Sequence, residues 1–148
     1  MIQLAADAYA AIVAHGEADF PHEACGLLIG LDDADGTRRV EAARGLANVR
    51  EPEARHHRFL IAPLDLVREE KRAREAGREI VGFYHSHPDH PAVPSRYDLE
   101  HAWPFYSYVV VAVRAGRTEE ARSWRLSEDR SRFEPEALVA PPVPVEGA

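Results

Sequence analysis

One stretch constrains the fold more than any other: EIVGFYHSHPDHPAVPSRYDLEHAW, residues 79–103. Its first eight residues form a short apolar run, and they read as a central strand. Pro88, Pro91 and Pro94 then stiffen a loop, because each fixes its own φ and limits the conformations available. Ser95 stands where a short helix over residues 95–103 begins, and Pro104 stops it. Within this span lie His85, His87, Asp89, His90, Asp98 and His101. A strand puts residues i and i+2 on one face, so His85 and His87 point together at its end while Ser86 turns away.

The rest of the chain supplies partners for that strand. Residues 3–15 read as a first helix, with Leu4, Ala8 and Ile12 on one face and His15-Gly16 closing it. ACGLLIG (24–30) reads as a buried strand, RRVEAARGLANV (38–49) as a weaker one, and HRFLI (57–61) alternates as a third. Residues 63–77 read as a helix, with Pro63 at its start, Gly77 at its end, and Leu64 and Val67 spaced for one face. YSYVVVAV (106–113) is a further buried strand, and ARSWRL (121–126) pairs beside it through a turn at Gly116. The strands come in runs rather than in strict alternation with helices. The expectation is an α+β domain over residues 1–138, a mixed and mostly antiparallel sheet flanked by helices, with a Pro-rich tail at 139–148.

Composition narrows the function. A formal charge of −7 lacks the basic balance of a nucleic-acid binder. No segment approaches the ~20 apolar residues of a membrane span. The N-terminal residues lack a basic leader and a long apolar core, and the single Cys25 allows no internal disulfide, so a reducing cytoplasm is expected.

Two imidazoles aimed at one spot suit Zn²⁺, and a catalytic zinc wants a third protein ligand and a water. The string H-x-H-x-D-H matches the signature of metallo-β-lactamase-type hydrolases literally. Only His101 follows His90, and 58 residues are too few for that sandwich and its remaining ligands. Asp89 and His90 then read as polar residues at the rim. Asp98, across the stiff loop, fits as the third ligand. Ser95-x-x-Asp98 is also a capping-box pattern, and Ser95 could both cap the helix and face the site. A zinc-bound water needs a base that is not a ligand. Glu23, ahead of an apolar strand and with no Lys or Arg beside it in sequence, is the candidate, although locally it also reads as a solvated carboxylate.

In these residues the chain resembles the JAMM (MPN-plus, Mov34-type) zinc metalloproteases. Their motif is an early Glu, then H-[ST]-H-P, then S-x-x-D. Here it is Glu23, His85-Ser86-His87-Pro88 and Ser95-Arg96-Tyr97-Asp98, with ten residues between His87 and Asp98. The resemblance runs over residues 1 to about 138 and implies the MPN/JAMM cytidine-deaminase-like fold. It implies zinc on His85, His87 and Asp98, Glu23 as the base, and Ser95 as a donor to the developing oxyanion. It further implies cleavage after the C-terminal Gly-Gly of a ubiquitin-like protein. The long insertions of eukaryotic members are absent, which resembles the compact bacterial branch associated with sulfur-carrier proteins. A diglycine tail has no Cβ atoms, so it can thread a narrow groove and lie along a strand edge.

Two other readings share these residues. One is a binding module in which a closed, structural zinc holds a ubiquitin-like partner. The other is a peptidase for small amides or cell-wall peptides. Cys25 reads as a small buried hydrophobe. His56-His57 suggests a second metal, but adjacent strand residues face opposite ways, so they read as loop or strand-edge histidines. His101, one helical turn from Asp98, could approach the site, and His22 alternates away from Glu23. Trp103 and Trp124 read as core or anchoring aromatics.

Overall fold

A computed structural model describes residues 1–141. Eight strands form one sheet: β1 (Ile2–Leu4), β2 (Cys25–Asp32), β3 (Arg38–Leu46), β4 (Glu79–Pro88), β5 (Ser107–Arg114), β6 (Arg117–Leu126), β7 (Phe133–Glu136) and β8 (Leu138–Val139). Their order is β7-β6-β5-β4-β2-β3-β1-β8. Four of the seven neighbour pairs are antiparallel; β4–β5, β1–β3 and β1–β8 are parallel. The helices are α1 (Ala6–Asp19), α2 (Pro63–Glu75) and α3 (Arg96–His101). This is the expected α+β class. The tail expected at 139–148 begins inside β8, and residues 142–148 lie outside the described residues.

β4 and β5 are central, and both are buried along nearly their whole length. That burial explains why they read as continuous apolar, β-branched runs. The core lies under α1, where Ile12 and Ala8 meet Leu28, Val81, Tyr84, Val109, Val111 and Val113. Side-chain alternation therefore sends Tyr84 and Ser86 toward α1, and Phe83, His85 and His87 toward the opposite face.

Three expectations change. The N-terminal apolar residues do not form one helix. Ile2 and Leu4 are buried positions of a strand parallel to β3, and the helix begins at Ala6. Gly16 does not close it, since α1 runs on to Asp19. A Cβ at Gly16 would stand 3.3 Å from both Ser86 Cβ and Val113 Cγ2, so glycine is there to let the helix approach the sheet. HRFLI is not a ladder strand either. It follows a 3₁₀ turn at Pro52–Ala54 and joins no sheet ladder: His57 and Arg58 N–H donate to the Ala54 carbonyl, the Arg58 carbonyl accepts from Asn48 Nδ2, and Leu60 is held by Val49 N–H and Asn48 Oδ1.

α2 is rotated from its expected setting. Leu64 is 75% and Val67 63% exposed, while Glu69 and Ala73 are the buried positions. The spacing 66, 69, 73 is as helical as 64 and 67. Small Ala73 allows contact with the sheet, and Glu69 pairs with Arg44 at 3.1 Å and Arg72 at 3.7 Å. Among the described residues no helix is long and apolar enough to cross a membrane.

Candidate metal centre

His85, His87 and Asp98 meet at the end of β4. His85 Nε2 to His87 Nε2, and each Nε2 to Asp98 Oδ2, all measure 3.1 Å. Donor atoms sharing one tetrahedral Zn²⁺ at ~2.1 Å stand ~3.4 Å apart, so this triangle nearly matches one face of such a site. The proton count points the same way. His87 Nδ1 lies 2.9 Å from the Pro91 carbonyl, which only accepts. Nδ1 therefore carries a hydrogen, which leaves Nε2 as the nitrogen that faces the Asp98 oxygen and the one placed to ligate a cation. A carbonyl on the far nitrogen of a ligand histidine is also the usual way to fix its tautomer.

Each of these groups is held from behind. Pro91 is steadied by Ala92, whose carbonyl accepts from Trp124 Nε1–H at 3.0 Å. Trp124 is thus the anchor of the proline loop. Asp98 is the third residue of a complete capping box. Its N–H donates to Ser95 Oγ at 3.0 Å, and its Oδ2 accepts from Ser95 N–H at 2.8 Å. Asp98 thus completes the helix cap and also reaches both histidine nitrogens. Burial works against ionising Asp98, but His85, the hydrogen bonds from both histidines and the Ser95 N–H outweigh it and hold the carboxyl far below the usual range. Phe59 stacks on His85, ring centres 4.7 Å apart.

Glu23 is 3% exposed, just before β2, and its Oε1 has no hydrogen-bond partner. Together with His85 and His87 it forms a set of donor atoms within 4.8 Å of one another. Burial raises its carboxyl to about 7; the nearby His85 pulls it down and Asp98 pushes it up. The two carboxylates beside one histidine pair are therefore driven apart in acidity. That separation is the usual mark of different roles. Asp98 is in direct contact with both nitrogens, whereas Glu23, whose donor atom lies within 4.8 Å of theirs, holds its proton more tightly.

The backbone of Glu23 is fixed by residues that sequence reading did not single out. Its N–H donates to the Arg55 carbonyl at 2.6 Å, and its carbonyl accepts from Asn48 Nδ2 at 3.0 Å. The next residue is tied to β4: Ala24 N–H donates to Ser86 Oγ at 2.8 Å, and Ser86 N–H to the Ala24 carbonyl at 3.0 Å. Ser86 does turn away from the histidines, as expected, and from there it fastens the Glu23 loop. An Asn after a strand and a Ser inside H-S-H were the only sequence signals.

Other candidates fall outside the triangle. Ser95 is exposed and caps α3; because its Oγ accepts the Asp98 N–H, its own hydroxyl hydrogen remains available. His101 bonds the Tyr97 carbonyl at 2.8 Å and stacks on Tyr97, forming cleft wall rather than approaching Asp98. Asp89 accepts from Ala115 N–H, and it and the exposed His90 line a separate depression with Arg114 and Glu119 rather than the rim of the histidine site. Cys25 is fully buried and its thiol is pushed up to about 12, first by burial and then by Glu23. His56 and His57 do not face opposite ways: no strand forms, and a 2.8 Å nitrogen–nitrogen contact joins them on an exposed turn.

The histidine face opens into a cleft of about 620 Å³. Phe59, Leu60, Ile61 and Leu66 line one side, and Trp103, Pro104, Tyr106, Tyr108 and Arg130 the other, with His85 and Asp98 between them in sequence and space. Trp103, 60% exposed, is cleft wall, not core.

A mixed sheet with a buried histidine pair, an acidic helix cap and a recessed glutamate defines a JAB-type metal site. The sequence matches the family of prokaryotic homologs of the JAB domain over residues 5–127. Desampylase of Haloferax volcanii is 38% identical over 135 residues, covering 87% of this chain and 91% of its own. The CysO-cysteine peptidase of Mycobacterium tuberculosis is 34% identical over 143 residues, covering 94% and 92%. A solved protein of Desulfitobacterium hafniense superposes with a TM-score of 0.81 at 29% identity, covering 99% and 96%. A JAB1/MPN domain protein of Archaeoglobus fulgidus shares the fold, with a TM-score of 0.59 at 18% identity over 93% of this chain and 97% of its own. The chain belongs to the prokaryotic JAB family.

Proposed function

We propose that the protein is a cytoplasmic, zinc-dependent peptidase or isopeptidase that hydrolyses the bond after the C-terminal Gly-Gly of a ubiquitin-like or sulfur-carrier protein. The observation that carries this reading is the 3.1 Å triangle of His85, His87 and Asp98 with a buried, unpartnered Glu23 beside it. The relatives that act on such carriers, a desampylase and a CysO-cysteine peptidase, support the substrate class.

His85, His87 and Asp98 would hold the metal. When bound, Zn²⁺ acidifies a water and polarises the scissile carbonyl. Glu23, with a carboxyl near neutrality, takes the proton from the attacking water and gives it to the leaving amine. Ser95 turns its free hydroxyl hydrogen toward the developing oxyanion, a contact typically worth ~3–4 kcal/mol.

The diglycine tail needs an edge on which to lie. β4 offers none, being paired on both sides. The extended segment at Phe59–Ile61 offers one. Leu60 bonds back to Asn48 and Val49, and among the described residues Phe59 and Ile61 have no backbone partners. Their N–H and C=O groups are thus left for a tail without side chains to pair with.

The test is mass spectrometry of a Gly-Gly carrier bearing a C-terminal cysteine, incubated with zinc-loaded protein, chelated protein and zinc-restored protein. Chelator-sensitive release of the adduct is expected. Full zinc occupancy with no release sinks the peptidase reading and favours a binding module with Glu23 as fourth ligand. Release only from short amides would favour the small-substrate reading.

Ser86 provides a second check. Ser86→Ala leaves the Ala24 N–H without its acceptor and frees the Glu23 loop. Turnover is expected to fall about tenfold with zinc content unchanged, and Ser86→Thr should restore part of it. Unaltered turnover in the alanine variant would remove Ser86 from the positioning of Glu23.

A further inference from the structure

The cleft wall opposite Phe59–Ile61 carries a charge that the chemistry above does not use. Arg130 lies in the turn between β6 and β7 with φ at 63°. Its N–H donates to the Ser127 carbonyl at 2.9 Å. The adjacent Asp129 carboxylate is occupied by its own turn, accepting from Ser127 Oγ and from Ser131 N–H and Oγ. The neighbouring arginines are paired, Arg125 with Glu136 and Arg132 with Glu134, both within 3.3 Å. Among the described residues Arg130 has no carboxylate partner, in a chain whose formal charge is −7. Its guanidinium stands 5.3 Å from the ring centre of Trp103, and both line the cleft.

An arginine over an indole face is held by cation–π attraction and keeps its planar fork of donors for a carboxylate. Tyr106, Tyr108 and Pro104 form the wall around this pair. The tail side of the cleft is already assigned to the open edge at Phe59 and Ile61. What lies on the Trp103–Arg130 side must then be the group that leaves.

We infer that Arg130, backed by Trp103, binds the free α-carboxylate of the leaving group, so that the protein releases a single amino acid or short peptide from the diglycine end. This rests on the peptidase reading above. In the reaction the glycine–amine C–N bond breaks, the water oxygen joins the glycine carbonyl carbon, and the proton held by Glu23 goes to the departing amine. The departing amino acid carries the carboxylate that Arg130 holds. A lysine side chain of a second folded protein carries no such group next to its reacting amine, so the same wall selects against protein–protein conjugates.

The experiment compares two carrier substrates, one ending Gly-Gly-Cys with a free carboxylate and one with the same terminus as the carboxamide. Each is assayed with zinc-loaded wild type, Arg130→Gln and Arg130→Lys. Wild type is expected to prefer the acid by about tenfold or more in kcat/KM, mostly through KM, as for loss of a charge-assisted bond. Arg130→Gln should erase the preference by slowing the acid far more than the amide, and Arg130→Lys should recover part of it. Equal use of acid and amide by wild type, or an undiminished preference in Arg130→Gln, overturns the inference while leaving the peptidase reading intact. Cleavage of neither substrate by wild type overturns that reading and this one with it.

Discussion

Glu23→Gln is expected to retain zinc and to lose turnover by about 100- to 10,000-fold, the range for removing a general base. The amide is isosteric and keeps the backbone bonds to Arg55 and Asn48, so the loop stays in place. It cannot take a proton. Undiminished turnover with full zinc would exclude Glu23 as the base.

The same variant should also change stability in a pH-dependent way. Glu23 has a folded pKa of about 7 against an ordinary value of 4.5. The folded state thus holds a proton that the unfolded chain has released between these values. Stability from this group is fully present below pH 4.5 and lost as pH rises through 7. The full loss is about 3 kcal/mol by linkage. Without metal, Glu23→Gln should therefore melt several degrees above wild type at pH 8 and match it more nearly at pH 4.5. Zinc, a cation beside the carboxylate, should narrow the gap. Thermal unfolding of chelated and zinc-loaded proteins measures both; a gap that stays constant with pH would contradict the buried, proton-holding Glu23.

His87→Ala is expected to reduce zinc from about one per chain to near zero at moderate metal concentration. Even partners behind a ligand change metal affinity by about 10- to 100-fold, and a lost ligand costs more. His87 is the better choice for this test because it carries two constraints. Its Nε2 belongs to the triangle, and its Nδ1 is fixed by the Pro91 carbonyl. Elemental analysis after gel filtration decides the matter. Full occupancy in this variant would move the ligand set elsewhere, and the first place to look would be Glu23, which sits with the histidines within 4.8 Å.

β4 and β5 were readable because strands buried on both faces must be apolar at every position, and few other structures need that. The histidine pair followed from strand alternation alone. Asp98 followed because the prolines left one nearby helix start. β7 was not readable: Phe133–Glu136 contains Pro135 and two glutamates, which an edge strand tolerates and a core strand would not. The error at Leu64 and Val67 came from counting apolar spacing on a helix whose contact is set by a small residue and a salt bridge. HRFLI was misread as a strand: it forms none, and its apolar residues serve instead to set Phe59 against His85 and to line the cleft. Local sequence did not reveal the support of Glu23 by Asn48, Arg55 and Ser86, because those contacts span 25, 32 and 62 positions of chain.

Gly16 sits on the back of the sheet, beneath α1, where any added side chain meets Ser86 at 3.3 Å. Ser86 in turn fastens Ala24, and Ala24 adjoins Glu23, the proposed base. Loss-of-function changes in this protein therefore need not map to the cleft. A single methyl group gained on the helix, with the whole thickness of the sheet between it and any substrate, presses on Ser86 and through it on the loop that carries Glu23. Alleles scored as remote by distance from the metal would be misfiled, and Gly16 belongs on any inventory of positions where inherited variation is expected to slow the chemistry.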